Sequence, residues 1–422
     1  MIKDWMKDRV SRIWTCTKEM LKWLVLAIVT GVPCGIVGAL FDLAVEHVTE
    51  LRTEHTAILF LLPFIGLFIV AQYRSAGLEG VSTDDMIECV KDGKPIRFWL
   101  LPVMFLSTVL THLGGGSAGR EGAALQMGGV IGWWAGGMLH LNDHERRMAV
   151  QCGMAAFFSA LFSTPLAATF FAMTVVKVGV VFYAAYIPCF AAALIAYGVS
   201  LLIGVMPTRF AVEAPPFELG MAIRVVLLAL ACVVVVHIFC FVLHYAAHTM
   251  PKLLPNPWVR VALGGCIIVA FTLLYGNMRY NGAGVNIIRQ AIEQGEALPW
   301  DWIIKILLTA LTLSAGYKGG EVVPSFFVGA TFGCIAAPLL GIPAGFGAAL
   351  GLTGVFCGAS NCVVASLLLA IELFGAQGLW YYAIICGITY ALSGYSGLYS
   401  SQLFLTDKLE PEYHLPLSGR HH

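Results

Sequence analysis

Charge is what this chain has least of. Its 25 lysines and arginines and 25 aspartates and glutamates make 12% of 422 residues charged, about half the roughly 25% of soluble domains. A soluble chain of this length needs polar surface to cover its core, so a soluble globular fold is excluded. The formal net charge is zero and by itself says nothing about partners; no nucleic-acid partner is expected. Signatures of catalysis and metal binding are missing too. With no HExxH, no CxxC and no Ser/His/Asp constellation, no enzyme activity, metal or other cofactor is expected. The twelve cysteines are scattered through apolar runs; they read as buried packing residues, and no disulfide is expected. Also lacking are the alternating segments of about ten residues that build an outer-membrane barrel.

What remains is apolar. Hydrophobic residues make up 59%, and mean hydropathy is +0.81. Long runs rich in Leu, Ala and Gly recur, from 23–40 and 55–72 to the shorter 379–392, which predicts an all-α integral membrane protein. Lys3, Lys7, Arg9, Arg12, Lys18 and Lys22 crowd the N-terminus, which the positive-inside rule places in the cytoplasm. Lys91, Lys94, Arg97, Arg146 and Arg147 mark further cytoplasmic loops. Residues 1–20 read as a basic amphipathic helix at the membrane interface rather than a cleaved signal peptide.

The chain repeats itself. Gly119-Arg-Glu121 is followed eight residues later by Gly129, and Gly320-Glu321 by Gly329 at the same distance. Further on, the segment from Gly153 to Ala167 lines up with that from Gly351 to Ala365, again at an offset near 200. This predicts two related membrane halves, 21–205 and 206–406, often inverted, with the substrate between them. They divide in a stretch bearing Pro207, Pro215 and Pro216. Residues 407–422 form a short cytoplasmic tail whose closing His-His resembles an appended tag.

Arg120 and Glu121 stand between glycines at the start of an apolar stretch. An ionisable group in a bilayer costs about 2.5–3.5 kcal/mol or more, and by default it marks a pathway or proton relay. Pro165, Pro324, Pro338 and Pro343 break other apolar segments, leaving helix ends inside the membrane. Their free N–H groups and positive dipole ends suit an anion. The residues alone therefore point to an anion pathway that carries a titratable glutamate.

At Gly119-Arg-Glu-Gly122, at Gly153-Met-Ala-Ala-Phe-Phe with Thr164-Pro-Leu-Ala167, and at Gly319-Gly-Glu-Val-Val-Pro-Ser-Phe-Phe-Val-Gly-Ala-Thr-Phe-Gly333, the chain resembles the CLC family of anion channels and proton-coupled anion antiporters. The resemblance covers nearly the whole chain. It implies a bundle of short, broken and re-entrant helices, a homodimer with one pore per subunit, and a multi-pass protein of a bacterial inner membrane with both termini cytoplasmic. No nucleotide-binding tail is expected after Phe404. Ala123 in place of the proline of chloride-type members, Glu321 in Gly-Gly-Glu-Val-Val-Pro, and the closing Ser393-Gly-Tyr-Ser-Gly-Leu-Tyr-Ser-Ser-Gln402 look like the fluoride/proton antiporters. The implied function is export of fluoride in exchange for protons, or, alternatively, transport of chloride or another halide.

The resemblance also assigns roles. Glu121 is the gating and proton-carrying glutamate. Its carboxylate would not be held by Arg120, because adjacent residues on a helix do not face each other. Glu321 joins the proton route on the cytoplasmic side, where the internal glutamate of chloride exchangers is replaced by Val175. Gly119, Arg120, Gly122, Val323, Phe326, Phe327 and Tyr399 are candidate anion contacts, with Tyr395 a rival for Tyr399. Val323 stands where the fluoride antiporters have a threonine. The early loop Leu78-Glu79-Gly80-Val81-Ser82-Thr83 replaces Gly-Ser-Gly-Ile-Pro. That leaves two arrangements open: Glu79 beside the anion with Gly80 and Val81, or Glu79 turned away with Ser82 or Thr83 donating instead. Glu372, Lys177 and His112 read as structural.

Overall fold

The computed structural model describes the backbone of residues 2–405 and 408–409, and their side chains except at 2–4, 6–8 and 10. Lys3, Lys7 and most of the tail 407–422 therefore lie outside the described side chains. The first half runs through α1 (Ile2–Glu54), α2 (Leu62–Ser75), α3 (Thr83–Asp92), α4 (Leu100–Gly114), α5 (Glu121–Met138), α6 (Asp143–Phe162), α7 (Pro165–Thr174) and α8 (Tyr186–Ile203). After an irregular stretch, the second half repeats this order with α9 (Leu219–Leu253), α10 (Pro257–Tyr275), α11 (Val285–Arg289), α12 (Asp301–Ala315), α13 (Val322–Leu339), α14 (Ala344–Ser360), α15 (Val363–Phe374) and α16 (Leu379–Leu392). A short parallel pair, β1 (Lys177–Val178) with β2 (Leu403–Phe404), ties the end of the first half to the end of the second.

Local chemistry sets the helix ends. Asn142 caps α6 by accepting from Glu145 N–H at 3.0 Å, while Glu145 accepts from Asn142 N–H at 3.2 Å, a reciprocal capping box. Gly115 and Gly316 end α4 and α12 with φ of +86° and +117°, left-handed values that favour glycine. These two helices have 15 residues each, about 22 Å of rise, against a hydrocarbon core of about 30 Å. Both therefore stop inside the membrane. Six helices among the described residues are long and apolar enough to cross it: those within Ser11–Glu54, Thr56–Ser75, Tyr183–Ile203, Leu219–Leu253, Pro257–Tyr275 and Val322–Leu339.

Residues 1–20 do not form a separate interfacial element. With no glycine or proline before Gly31 and Pro33, the basic segment continues without a break into the first span, and α1 is one helix of 53 residues.

Glycine lets the centre close. A Cβ on Gly128 would strike the carbonyl of Gly153 across the α5–α6 contact, and a Cβ on Gly329 would strike that of Gly351 across α13–α14. The two halves thus use the same backbone-on-backbone packing. Their register also becomes visible. Gly115 corresponds to Gly316, Gly119 pairs with Gly320 in an antiparallel bridge, and α5 starts at Glu121 where α13 starts at Val322. Each of these pairs is offset by 201, so the structural counterpart of Glu321 is Arg120 and that of Glu121 is Val322. Matching the two Gly-Glu pairs by letter misses this by one residue.

The halves also grip each other through Glu372. This half-buried carboxylate near the end of α15 accepts from Leu166 N–H at 3.0 Å and Ala167 N–H at 2.9 Å, capping the N-terminus of α7. It is a structural role. Glu372→Ala leaves those donors unpaired and is expected to destabilise the protein by about 1 kcal/mol, read as a lowered midpoint of thermal unfolding in detergent, with Glu372→Gln retaining most of the stability. Lys177 does not share this neighbourhood; it sits exposed in β1.

Candidate anion-binding site

The crossing of the two halves between α4–α5 and α12–α13 builds the site. After α4 and α12 stop short, the two following segments meet, with Gly119 N–H donating to Gly320 O at 2.7 Å and Gly320 N–H to Gly119 O at 2.9 Å. A side chain at Gly122 would collide with the carbonyl of Gly319. The N-termini of α5 and α13 are thereby brought together, each presenting amide groups that have no partner in their own helix.

Glu121 sits at this junction and is completely buried. Its Oε2 accepts from Val323 N–H at 3.1 Å. The carboxylate of one half-helix thus occupies the amide end of the other, a place suited to a free anion. Its second oxygen, Oε1, has no hydrogen-bond partner. Arg120 does not hold it: the guanidinium is ion-paired with Asp42 of α1. As an anion contact Arg120 is corrected accordingly, since its charge is committed elsewhere and its backbone is what lies at the junction.

Glu321 is the N-cap residue of α13 and is partly exposed. Its charged neighbours are Glu121 and Asp84. Tyr399 is 4% exposed, and its hydroxyl has no hydrogen-bond partner. Glu321, Glu121 and Asp84 all lie within its electrostatic reach. Tyr395 is instead 64% exposed, with its ring against Phe404. An orphaned buried hydroxyl costs about 1–3 kcal/mol, a cost that an accepting anion would remove.

Val323 is buried in the first turn of α13 and supplies the amide that Glu121 accepts from. The missing threonine hydroxyl leaves that backbone donor in place. Phe326 packs edge-on against Phe356 at 5.0 Å and Phe162 at 6.1 Å. Phe327 instead packs against Tyr280, with the Lys305 ammonium 5.2 Å from its ring centre.

Glu79 and Gly80 are not part of the junction. Glu79 is 66% exposed and pairs with Arg74 at 3.7 Å; Gly80 has open space around its Cα at φ +80°. A carboxylate acceptor beside the anion would repel it, and the loop turns outward. Val81 is partly exposed, and its carbonyl accepts from Lys318 Nζ at 3.5 Å. Ser82 spends its hydroxyl on Asp85 at 3.1 Å in the cap of α3. Thr83 is the residue this loop delivers inward: it is buried close to Gly122, and its Oγ1 accepts from Gln126 Nε2 at 3.3 Å. Glu79→Gln is expected to change transport less than about twofold, as for other exposed ion pairs, in a vesicle flux measurement.

Several contributors were not singled out from the sequence. Lys305 is fully buried and donates to Gly282 O at 2.6 Å and Tyr280 O at 3.2 Å; its charged neighbours are Arg52 and Glu121. Arg52, 2% exposed, donates to His112 O, and His112 Nδ1 donates to Thr108 O at 2.9 Å. A lysine inside an apolar helix is a readable signal. The pairing of Asp42 with Arg120 is not, because it joins two helices distant in sequence.

Two half-membrane repeats meeting N-terminus to N-terminus around a buried carboxylate define a polytopic membrane protein of the inverted-repeat transporter class. More particularly, this chain belongs to the CLC family. Residues 65–394 match the family model described as voltage gated chloride channel. A chloride/fluoride channel protein of Pseudomonas syringae pv. tomato is 34% identical over 392 residues, spanning 90% of this chain and 86% of that relative. An H(+)/Cl(−) exchange transporter of Vibrio cholerae is 27% identical over 402 residues, spanning 87% and 85%. Among solved structures, a CLC-type fluoride/proton antiporter superposes with a TM-score of 0.87 at 30% identity over 92% of this chain and 98% of its own. A slow cyanobacterial Cl−/H+ antiporter, at 18% identity and TM-score 0.75 over 88% and 94%, shares the fold.

Proposed function

We propose that this protein is a proton-coupled anion antiporter that exports fluoride from a bacterial cytoplasm across the inner membrane in exchange for protons. The observation that carries the reading is Glu121 Oε2 on the Val323 amide. There the ionised carboxylate competes with the transported anion for one set of donors. Protonation removes its charge and weakens that hydrogen bond; the side chain leaves and an anion takes its place. Loss of the proton returns the carboxylate and expels the anion, so anion and proton move in opposite directions. Glu321, partly exposed and an electrostatic neighbour of Glu121, passes protons between Glu121 and the cytoplasm.

Fluoride is favoured by Glu321 in its Gly-Gly-Glu context and by the solved fluoride/proton antiporter that this chain resembles. Val323 in place of threonine favours the second reading, a chloride or mixed-halide transporter, since one hydroxyl contact is lost. Both readings have a homodimer with one pore per subunit and cytoplasmic termini. Anion efflux from proteoliposomes separates them. Fluoride release at least about tenfold faster than chloride, a difference of about 1.4 kcal/mol in barrier, is the expected result; equal rates would sink the fluoride assignment.

A further inference from the structure

α9 is an apolar helix interrupted on one side by His237 and His244, with His248 one turn further on. Histidines are costly on a membrane-spanning helix unless they face a polar or watery cavity, and chains of them mark proton relays. Here His237 and His244 border a cleft. It measures about 670 Å³ and opens between α9 and the segment that follows α16, lined by His237, His244, Cys240, Ser396, Tyr399 and Ser400 among others. Part of its wall is Tyr399, which carries the orphaned hydroxyl and has Glu321 and Glu121 within electrostatic reach, as Cys240 has Glu321. The cleft therefore runs from the outer surface of α9 to the Tyr399 ring, with Glu321 beyond that ring.

The histidine chemistry fits a relay. His237 Nδ1 hydrogen-bonds to Val233 O at 2.8 Å. A carbonyl only accepts, so Nδ1 carries the hydrogen and Nε2 is left as the proton-accepting nitrogen. His237 and His244 are seven residues apart, about 10 Å along the helix, too far for direct transfer but spanned by two or three waters.

We propose that this cleft is the proton inlet on the cytoplasmic side, with His244 and His237 relaying protons through water to Glu321. At each step an imidazole, through Nε2 in His237, accepts one proton from water and releases one to the next water, with no net change in the histidine. The proposal rests on the proton-coupled reading above.

It is tested with the full-length protein in proteoliposomes, recording fluoride and proton fluxes together in wild type and in His237→Ala/His244→Ala. The double variant is expected to lose proton flux on the order of 100-fold, as when a positioned proton-transfer group is removed, and to regain it when imidazole buffer is added on the cytoplasmic side. Proton flux unchanged in the double variant overturns the proposal, as does a loss that imidazole fails to rescue while the thermal unfolding midpoint matches wild type. If wild type itself moves no protons, the antiport reading fails instead, which separates the two.

Discussion

Glu121→Gln is expected to abolish proton movement while the protein folds normally. Glutamine keeps the size of the side chain and an oxygen able to accept from the Val323 amide, so the packing of the α5–α13 junction survives. What disappears is the ability to switch between a charged form that competes with the anion and a neutral form that leaves. Loss of a positioned acid–base group costs on the order of 10²- to 10⁴-fold, so proton flux should fall to the background of protein-free vesicles. Proton movement equal to wild type would remove Glu121 from the mechanism.

Glu321→Gln is the second large effect. Glu321 is partly exposed where Glu121 is completely buried, and the two are electrostatic neighbours. In the proposed mechanism it is the group that hands a proton from the cytoplasm to the buried Glu121 carboxylate. The Glu321 side chain makes no capping hydrogen bond to α13, so stability should change by less than about 1 kcal/mol in the isosteric glutamine variant. Proton flux should fall by about 100-fold, and anion occupancy, read by calorimetric titration with fluoride, should be retained. A variant that loses fluoride binding but keeps its proton flux would place Glu321 in the anion site rather than on the proton route.

Much of the fold was legible because the membrane makes polarity expensive. Two glutamates at glycine-flanked helix starts and a pattern recurring near 200 residues exposed the two halves before any contact was known. The misreadings have physical causes. Gly119-Arg-Glu and Gly319-Gly-Glu match by letter, yet α13 begins one residue later than the match implies, so Glu321 stands in the place of Arg120. The key donor at Val323 is a backbone N–H, which exists whatever the side chain, and so valine in place of threonine leaves that contact intact. The loop's sequence leaves Glu79 open to two arrangements, and the structure takes the one in which Glu79 turns out to Arg74 and Thr83 is delivered inward. Arg120 found its partner in Asp42, on a helix that sequence spacing does not connect to it.

The central claim is that proton movement and anion movement are one exchange through Glu121. The direct measurement places equal fluoride on both sides of sealed proteoliposomes, clamps the membrane potential at zero and imposes a pH gradient. The account predicts that fluoride accumulates on the more acidic side, against its own gradient, as protons leave that side, and that Glu121→Gln vesicles show no accumulation. Fluoride remaining equal on both sides in wild type, with protons not moving, would contradict it.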